Sequence, residues 1–283
     1  MSSPRLSDVG ELGLLAELER RGLVEGVEHD AALLEGGLVV TQDALVEGVH
    51  FRLDWTGWRD LGWKAAAVNL SDLAASAAEP EALIVTLALP PQTGLADAIE
   101  LYEGLTRPGV PIRGGDTTAA DRVVLSVTAL GRSERVPGRT GARPGDLVVV
   151  TGPLGASGAG FRALSEGRGD DPAAAAHLRP PLRLHEGRRL GSVATAMLDV
   201  SDGLAIDAGH LARRSGVRIV IDLDRVPLAG ELADLGFGED YELLATTRDP
   251  LDFAVIGRCE EGEGVELRLD GAPADLPGWE HFR

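Results

Sequence analysis

Residues 60–78 read DLGWKAAAVNLSDLAASAA, and the spacing inside this stretch decides the fold class. Trp63, Ala66, Leu70, Leu73 and Ala77 recur at three- and four-residue steps, which predicts a helix with an apolar face. Asn69, Asp72 and Ser76 then share a different, polar face. Pro80 is expected to close the helix, and the apolar run at 83–89 to follow as a strand. Working outward, 94–106 reads as a helix, and 110–113 and 123–131 as strands flanking a Gly114-Gly115-Asp116-Thr117 loop. Towards the N-terminus, Leu12, Leu15 and Leu18 suit a helix, 38–41 a short buried strand and 46–51 a second extended piece. A Gly/Pro/Arg-rich stretch at 135–145 breaks the pattern as an interdomain linker would. Beyond it come a strand at 147–151, a glycine-rich turn at 152–160 leading into a helix, a strand at 196–200 and a helix at 203–215. Further strands are expected at 218–223, 241–246, 255–257 and 265–269. Strands and helices alternate on both sides of the break. The expected architecture is therefore two α/β domains, residues 1–134 and 135–283.

Composition narrows the function. Lys and Arg total 27 against 45 Asp and Glu, so the formal net charge is −18. That argues against broad electrostatic binding of nucleic acid and suits carboxylates gathered around metal ions. No apolar run is long enough to span a bilayer, and the N-terminus lacks the basic-then-apolar pattern of a signal peptide. No membrane association and a cytoplasmic location are the expectations. A single cysteine, Cys259, excludes an internal disulfide framework and a multi-cysteine zinc site. Lys64 is the only lysine, and no G-x-x-x-x-G-K-[ST] occurs, so a P-loop is excluded.

Acidic residues recur beside glycine, serine or threonine where strands are expected to end. Examples are His29-Asp30, Thr41-Gln42-Asp43, Ser71-Asp72, Gly115-Asp116, Asp199-Val200-Ser201-Asp202 and Gly238-Glu239-Asp240. Carboxylates with neutral oxygen donors suit Mg²⁺, and adjacent glycines let backbone N–H groups approach phosphate oxygens. The plainer reading stands beside this one. Asp202 suits a cap for the helix at 203–215, and Asp116 suits an ordinary turn. Periodicity alone reaches an acidic α/β protein that uses Mg²⁺.

The ordered set TQDALVEGVHF, GWKAAAVNLSDLAA, IRGGDTT, RTGARPGDLVVVTGPLG, HLRPPLRL, LDVSDGLAIDAGHLA, GFGEDYELL and PGWEHF resembles the thiamine-monophosphate kinases. That family belongs with aminoimidazole-ribonucleotide synthetase, selenophosphate synthetase and the hydrogenase-maturation dehydratase. The resemblance covers nearly the whole chain, from about Glu28 to Phe282. It implies an N-terminal α/β domain for ATP and metals, a second α/β domain, and a homodimer in which N-terminal domains join sheets. The implied reaction is direct in-line transfer from ATP to thiamine monophosphate, dependent on several Mg²⁺ ions.

Position by position, Asp30, Thr41, Gln42, Asp43, Asp72, Asp116, Asp199 and Asp202 resemble metal-binding positions of the family. Asp43, Asp72 and Asp116 carry the implied catalytic load. Gly115 and Asp116 match a nucleotide- and metal-binding turn, Arg139 an ATP-phosphate contact and Ser201 an ATP contact. His50 matches a contact to the substrate phosphate region, Glu239 one to the aminopyrimidine and Trp279 an aromatic against the substrate ring. A carboxylate suits an aminopyrimidine because it accepts hydrogen bonds. Alone, His50 also reads as a satisfied strand-end histidine and Trp279 as a core plug. Two departures stand out: His29 and Gln42 occupy positions where the family usually has Asp and Thr. They motivate one rival reading, a non-catalytic binder of thiamine phosphates or nucleotides. The other rival, a different enzyme of the superfamily, is disfavoured. No cysteine lies near the N-terminus, and the chain ends in Arg283.

Overall fold

The computed structural model describes residues 5–25 and 29–276. Helix α1 (Leu6–Arg20) precedes β1 (Ala32–Leu34) and β2 (Leu38–Val46). Helix α2 (Trp58–Ala75), strand β3 (Glu79–Leu89), helix α3 (Leu95–Thr106) and strands β4 (Ile112–Ala119) and β5 (Val124–Arg132) follow. The five strands form one sheet in the order β1-β2-β5-β3-β4. Only β3 and β4 pair in parallel, with α3 supplying their crossover.

The two-residue period of strands decides which face of this sheet is covered. Leu83, Val85 and Leu87 of β3 and Leu125, Val127 and Ala129 of β5 point inward and pack under Leu61, Leu70 and Leu73 of α2. Their neighbours Ile84 and Thr86 face the other way and are exposed. Helices α2 and α3 cross at glycines. A Cβ on Gly62 would lie 2.0 Å from the Leu101 carbonyl oxygen, and one on Gly104 would lie 2.1 Å from that of Arg59. Nothing larger than hydrogen fits at that crossing.

The second sheet has seven strands in the order β12-β11-β8-β10-β6-β9-β7. They are β6 (Leu147–Val150), β7 (Ala194–Asp199), β8 (Arg218–Asp222), β9 (Leu243–Thr247), β10 (Ala254–Glu260), β11 (Gly264–Leu269) and β12 (Ala272–Ala274). Helices α4 (Ala156–Ser165), α5 (Ala174–Leu178), α6 (Leu184–Gly191) and α7 (Leu204–Ser215) accompany them. Leu204, Ala208 and Leu211 of α7 join the strands in one core. A separate cluster joins Ala74 and Ala75 of α2 to Val149, Leu190, Met197 and Leu243. Helix α2 is therefore buried on two sides, by its own sheet and by the second one. This is why Lys64, Asn69 and Ser71 are as buried as the leucines.

Three local expectations change. Pro80 does not end α2; it sits near the start of β3, beyond Ser76, which caps the helix, and Ala77 at φ 52°. Residues 46–51 are not a second strand. β2 runs on to Val46, and the chain turns back so that the Val46 N–H donates to His50 Nδ1 at 3.0 Å. Gly114-Gly115-Asp116-Thr117 is no turn but the middle of β4, with Asp116 opposite Thr86. A Cβ on Gly115 would lie 1.8 Å from the Val85 carbonyl oxygen. The glycine there serves close strand packing rather than a loop.

Candidate active site

A cavity of about 610 Å³ opens between the two sheets. Two groups of side chains line it. The first is acidic and gathers around the buried polar side of α2. Thr41 Oγ1, from β2, donates to the Asp72 carboxylate. Ser71 Oγ donates to Asp199 Oδ2 at 2.6 Å, which ties α2 to the end of β7. Asn69 Oδ1 accepts the Asp43 N–H at 3.0 Å and so sets the path of β2 beside the helix. Carboxylate oxygens of Asp30, Asp72 and Asp199 all lie within 4.8 Å of one another.

That crowding has an electrostatic signature. Burial pushes the Asp72 carboxyl well above its ordinary range, and the neighbouring charges of Asp43, Asp199 and Asp30 push it further. Asp199 rises to about 8, chiefly from burial and then from Asp30. Burial raises Asp30 and Asp43 as well. Buried like-charged oxygens that resist ionisation are relieved by a multivalent cation, and the all-oxygen donor set fits Mg²⁺. The Arg139 guanidinium supplies the counter-charge present in the chain itself: its Nε donates to Asp30 Oδ1 at 2.8 Å. His29 lies beside Asp30. Among the described residues, its buried Nδ1 has no hydrogen-bond partner.

Ser201 and Asp202 line the same cavity. Asp202 does not cap α7. The residue at the cap is Gly203, and Asp207 Oδ2 accepts both the Asp202 and Gly203 N–H groups at 3.0 Å. Gln42 borders the cavity from β2, but its side chain lies on the other face of the sheet from Thr41 and Asp43, with Nε2 donating to Ser126 Oγ at 2.9 Å, so the sequence-predicted ligand role at this position is not supported by its placement.

The second group is built by GFGEDYEL. Gly238, Glu239 and Tyr241 adopt φ of 83°, 55° and 51°, three left-handed residues within four. The acids hold this loop open. Asp240 accepts the Gly155 and Ser157 N–H groups at 2.7 and 3.0 Å, at the start of α4. Glu242 accepts two hydrogen bonds from Arg183, at 2.7 and 2.5 Å, and one from Thr151 at 2.6 Å. Glu239 reaches back to α2, where Lys64 Nζ lies 3.1 Å from its Oε2. Facing it are aromatic rings. Phe161 and Phe237 stack at 4.8 Å, Trp55 meets Phe161 edge-on at 6.0 Å, and the Arg52 guanidinium lies 4.5 Å over Trp55. His177 packs against both phenylalanines, and burial pushes its pKa down to about 4, so the ring is neutral. His50 lines the cavity too.

The structure thus brings Asp30, Gln42, Asp43, His50, Asp72, Arg139, Asp199, Ser201, Asp202 and Glu239 around one cavity. Thr41 joins them through Asp72. Gly115 and Asp116 are elsewhere, exposed on the edge strand β4 and not lining this cavity. Trp279 lies outside the described residues. Sequence reasoning passed over Lys64, His177, Tyr241 and the Phe161–Phe237 pair. Lys64 stood out as the one lysine in the chain, and His177, Phe237 and Tyr241 lie in HLRPPLRL and GFGEDYELL without an assigned role; Phe161 carried no signal.

Residues 28–133 match the N-terminal domain of the AIR synthase related proteins, and residues 143–266 match their C-terminal domain. The thiamine-monophosphate kinase of Aquifex aeolicus is 36% identical over 98% of this chain and 100% of its own length. The chain belongs to the thiamine-monophosphate kinase family. The enzyme of Mycobacterium tuberculosis agrees at 36% identity, over 99% of this chain and 94% of its own. Within the family, a solved structure described as AaThiL complexed with AMPPCP and TMP superposes with a TM-score of 0.91 at 35% identity. It covers 99% of this chain and 100% of that one. Among the described residues no helix is long and apolar enough to cross a membrane.

Proposed function

We propose that this chain phosphorylates thiamine monophosphate with ATP, giving thiamine diphosphate and ADP. The observation that carries the reading is the cavity itself. It places a cluster of buried carboxylates beside an aromatic-lined pocket with one carboxylate, a donor set for metal-bound phosphates next to one for a flat heterocycle. The relative solved with AMPPCP and TMP supports it.

In this reading a phosphate oxygen of thiamine monophosphate attacks the γ-phosphorus of ATP in line. The bond to the β,γ-bridging oxygen breaks, and its electrons leave with ADP. Mg²⁺, when bound, neutralises charge on the transferring group. Asp30, Asp43, Asp72, Asp199 and Asp202, with the Thr41 hydroxyl, would hold it, whereas the Gln42 side chain is turned to the other face of β2. Arg139, released from Asp30, meets a phosphate, and Ser201 borders the nucleotide. Glu239 and His50 orient the acceptor beside the aromatic rings. Catalysis then rests on positioning and charge neutralisation rather than on a covalent intermediate.

The chain is read as cytoplasmic and as a homodimer. One face of the five-stranded sheet has no covering helix among the described residues, and β4 is an open, exposed edge that carries Asp116. A second copy meeting this face would bring Asp116 to the partner's cavity. The linker at 135–145 is read as the division between the nucleotide-and-metal unit 1–134 and the unit 135–283. ADP release with thiamine monophosphate as acceptor tests the function. Binding of both substrates without release of ADP would favour a non-catalytic binder instead.

A further inference from the structure

Lys64 lies in the second turn of a helix whose polar face was expected at Asn69, Asp72 and Ser76. Its side chain is 1% exposed. Every other fully charged basic residue in the chain is arginine, so the sequence replaces ammonium by guanidinium wherever either will serve. One lysine kept at a buried site points to a demand for a compact charge on a straight stem, which a planar fork with five donors cannot meet.

The geometry shows what the charge does. Nζ lies 3.1 Å from Glu239 Oε2 and 3.4 Å from the His50 carbonyl oxygen. One ammonium thus ties together the two residues read as acceptor contacts, one from each half of the chain. His177 Nδ1, 3.4 Å from the same Oε2, closes the other side and is itself 3.1 Å from Ser157 Oγ. Both contacts to Glu239 fall on Oε2, and Oε1 is on the side of the cavity that Glu239 lines. Buried ion pairs rarely stabilise a fold better than apolar side chains of the same size, so stability alone does not explain this one.

We propose that Lys64 is a positioning residue for the acceptor: it fixes the Glu239 carboxylate with Oε1 turned to the cavity, and anchors the His50 turn beside it. The aminopyrimidine N–H donors then meet a preset acceptor. This deepens the proposed function and rests on it.

The test uses Lys64→Met, which keeps length and removes charge, with steady-state kinetics for both substrates and calorimetric binding of thiamine monophosphate. The KM and Kd for thiamine monophosphate should rise about 10- to 100-fold, the range for losing a charge-assisted hydrogen bond. The KM for ATP should stay within about twofold, because no nucleotide contact is touched. K64M/E239Q should bind the acceptor no worse than E239Q alone, since Lys64 acts through Glu239. Unchanged acceptor affinity in K64M, equal losses for ATP and acceptor, or a further loss in the double variant over E239Q would each overturn the proposal. If K64M does not fold, the double variant decides, as it leaves no bare charge. A wild type that binds the acceptor but never turns over sinks the proposed function alone, and the calorimetric comparison still decides Lys64.

Discussion

Single carboxylates in this protein work against its own stability. Asp199 is held to about 8 against an ordinary value near 4, so the folded chain binds more protons than the unfolded chain between those values. Its contribution is therefore full below about pH 4 and is lost as the pH rises to about 8. Without Mg²⁺, the melting temperature should fall across that window, and Mg²⁺ should restore it most at the alkaline end. A metal-free melting temperature that climbs from pH 5 to 8 would contradict the crowding of the cluster. Asp72→Asn relieves one buried charge. It should melt higher than wild type without Mg²⁺ at pH 8, yet lose about 100-fold or more of its turnover. Normal turnover at saturating Mg²⁺ would remove Asp72 from the site. His29 poses the opposite question, since a carboxylate is missing where the family usually has one. His29→Asp should lower the Mg²⁺ concentration needed for half-maximal rate, and superimposable titrations would show that His29 has no part in metal binding. The acids of the cluster were legible in the sequence because each sits in a short, distinctive motif. His177 and Phe237 also sit in quoted motifs, but nothing in those motifs gave them a role. They reach the cavity only through the folding of α5 and of the GFGEDYEL loop, which no spacing announces.

At the scale of elements, α2 carries most of the burden. It presents Lys64 to the acceptor side and Ser71 and Asp72 to the acidic side, so its axial position sets both at once. The Gly62–Gly104 crossing holds it down on α3. Gly104→Val would force the helices apart. It should destabilise the protein by about 1–3 kcal/mol, measured by urea unfolding, and raise the KM of both substrates in whatever remains folded. A variant as stable as wild type would mean the crossing is looser than it looks. The helix was legible from its apolar spacing. Its second buried side was not, because small alanines pack against another sheet as readily as they face water. Helices α5 and α6 escaped notice for a related reason. They are short, and α6 offers only Leu184 and Leu190 as apolar positions between breakers. The GGDT segment misled in the other direction. Paired glycines before an aspartate read as a turn, whereas here one glycine is demanded by the neighbouring strand.

For the molecule as a whole, the position of Asp116 gives the sharpest expectation. On β4 it is exposed and away from the cavity of its own chain. If it serves the cavity of a second copy, two inactive variants should rescue each other. In a mixture of D72N and D116N chains about half of the pairs are mixed, and each mixed pair holds one site with both acids intact. Mixing after mild dissociation should restore about a quarter of wild-type activity, against near zero for either variant alone. No recovery, in mixtures shown to exchange subunits, would place Asp116 outside the active site or in its own chain's cavity.

The open edge at β4 has a consequence for a newly made chain, whether or not a second copy later covers it. A newly synthesised copy exposes a ladder of unpaired backbone groups beside an uncovered sheet face bearing Ile84. Any extended segment can dock on such an edge. Crowding of nascent chains therefore raises the chance that a wrong strand docks there. Arg113 and Asp116, charged and exposed on that strand, oppose such docking, because pairing there would have to desolvate them.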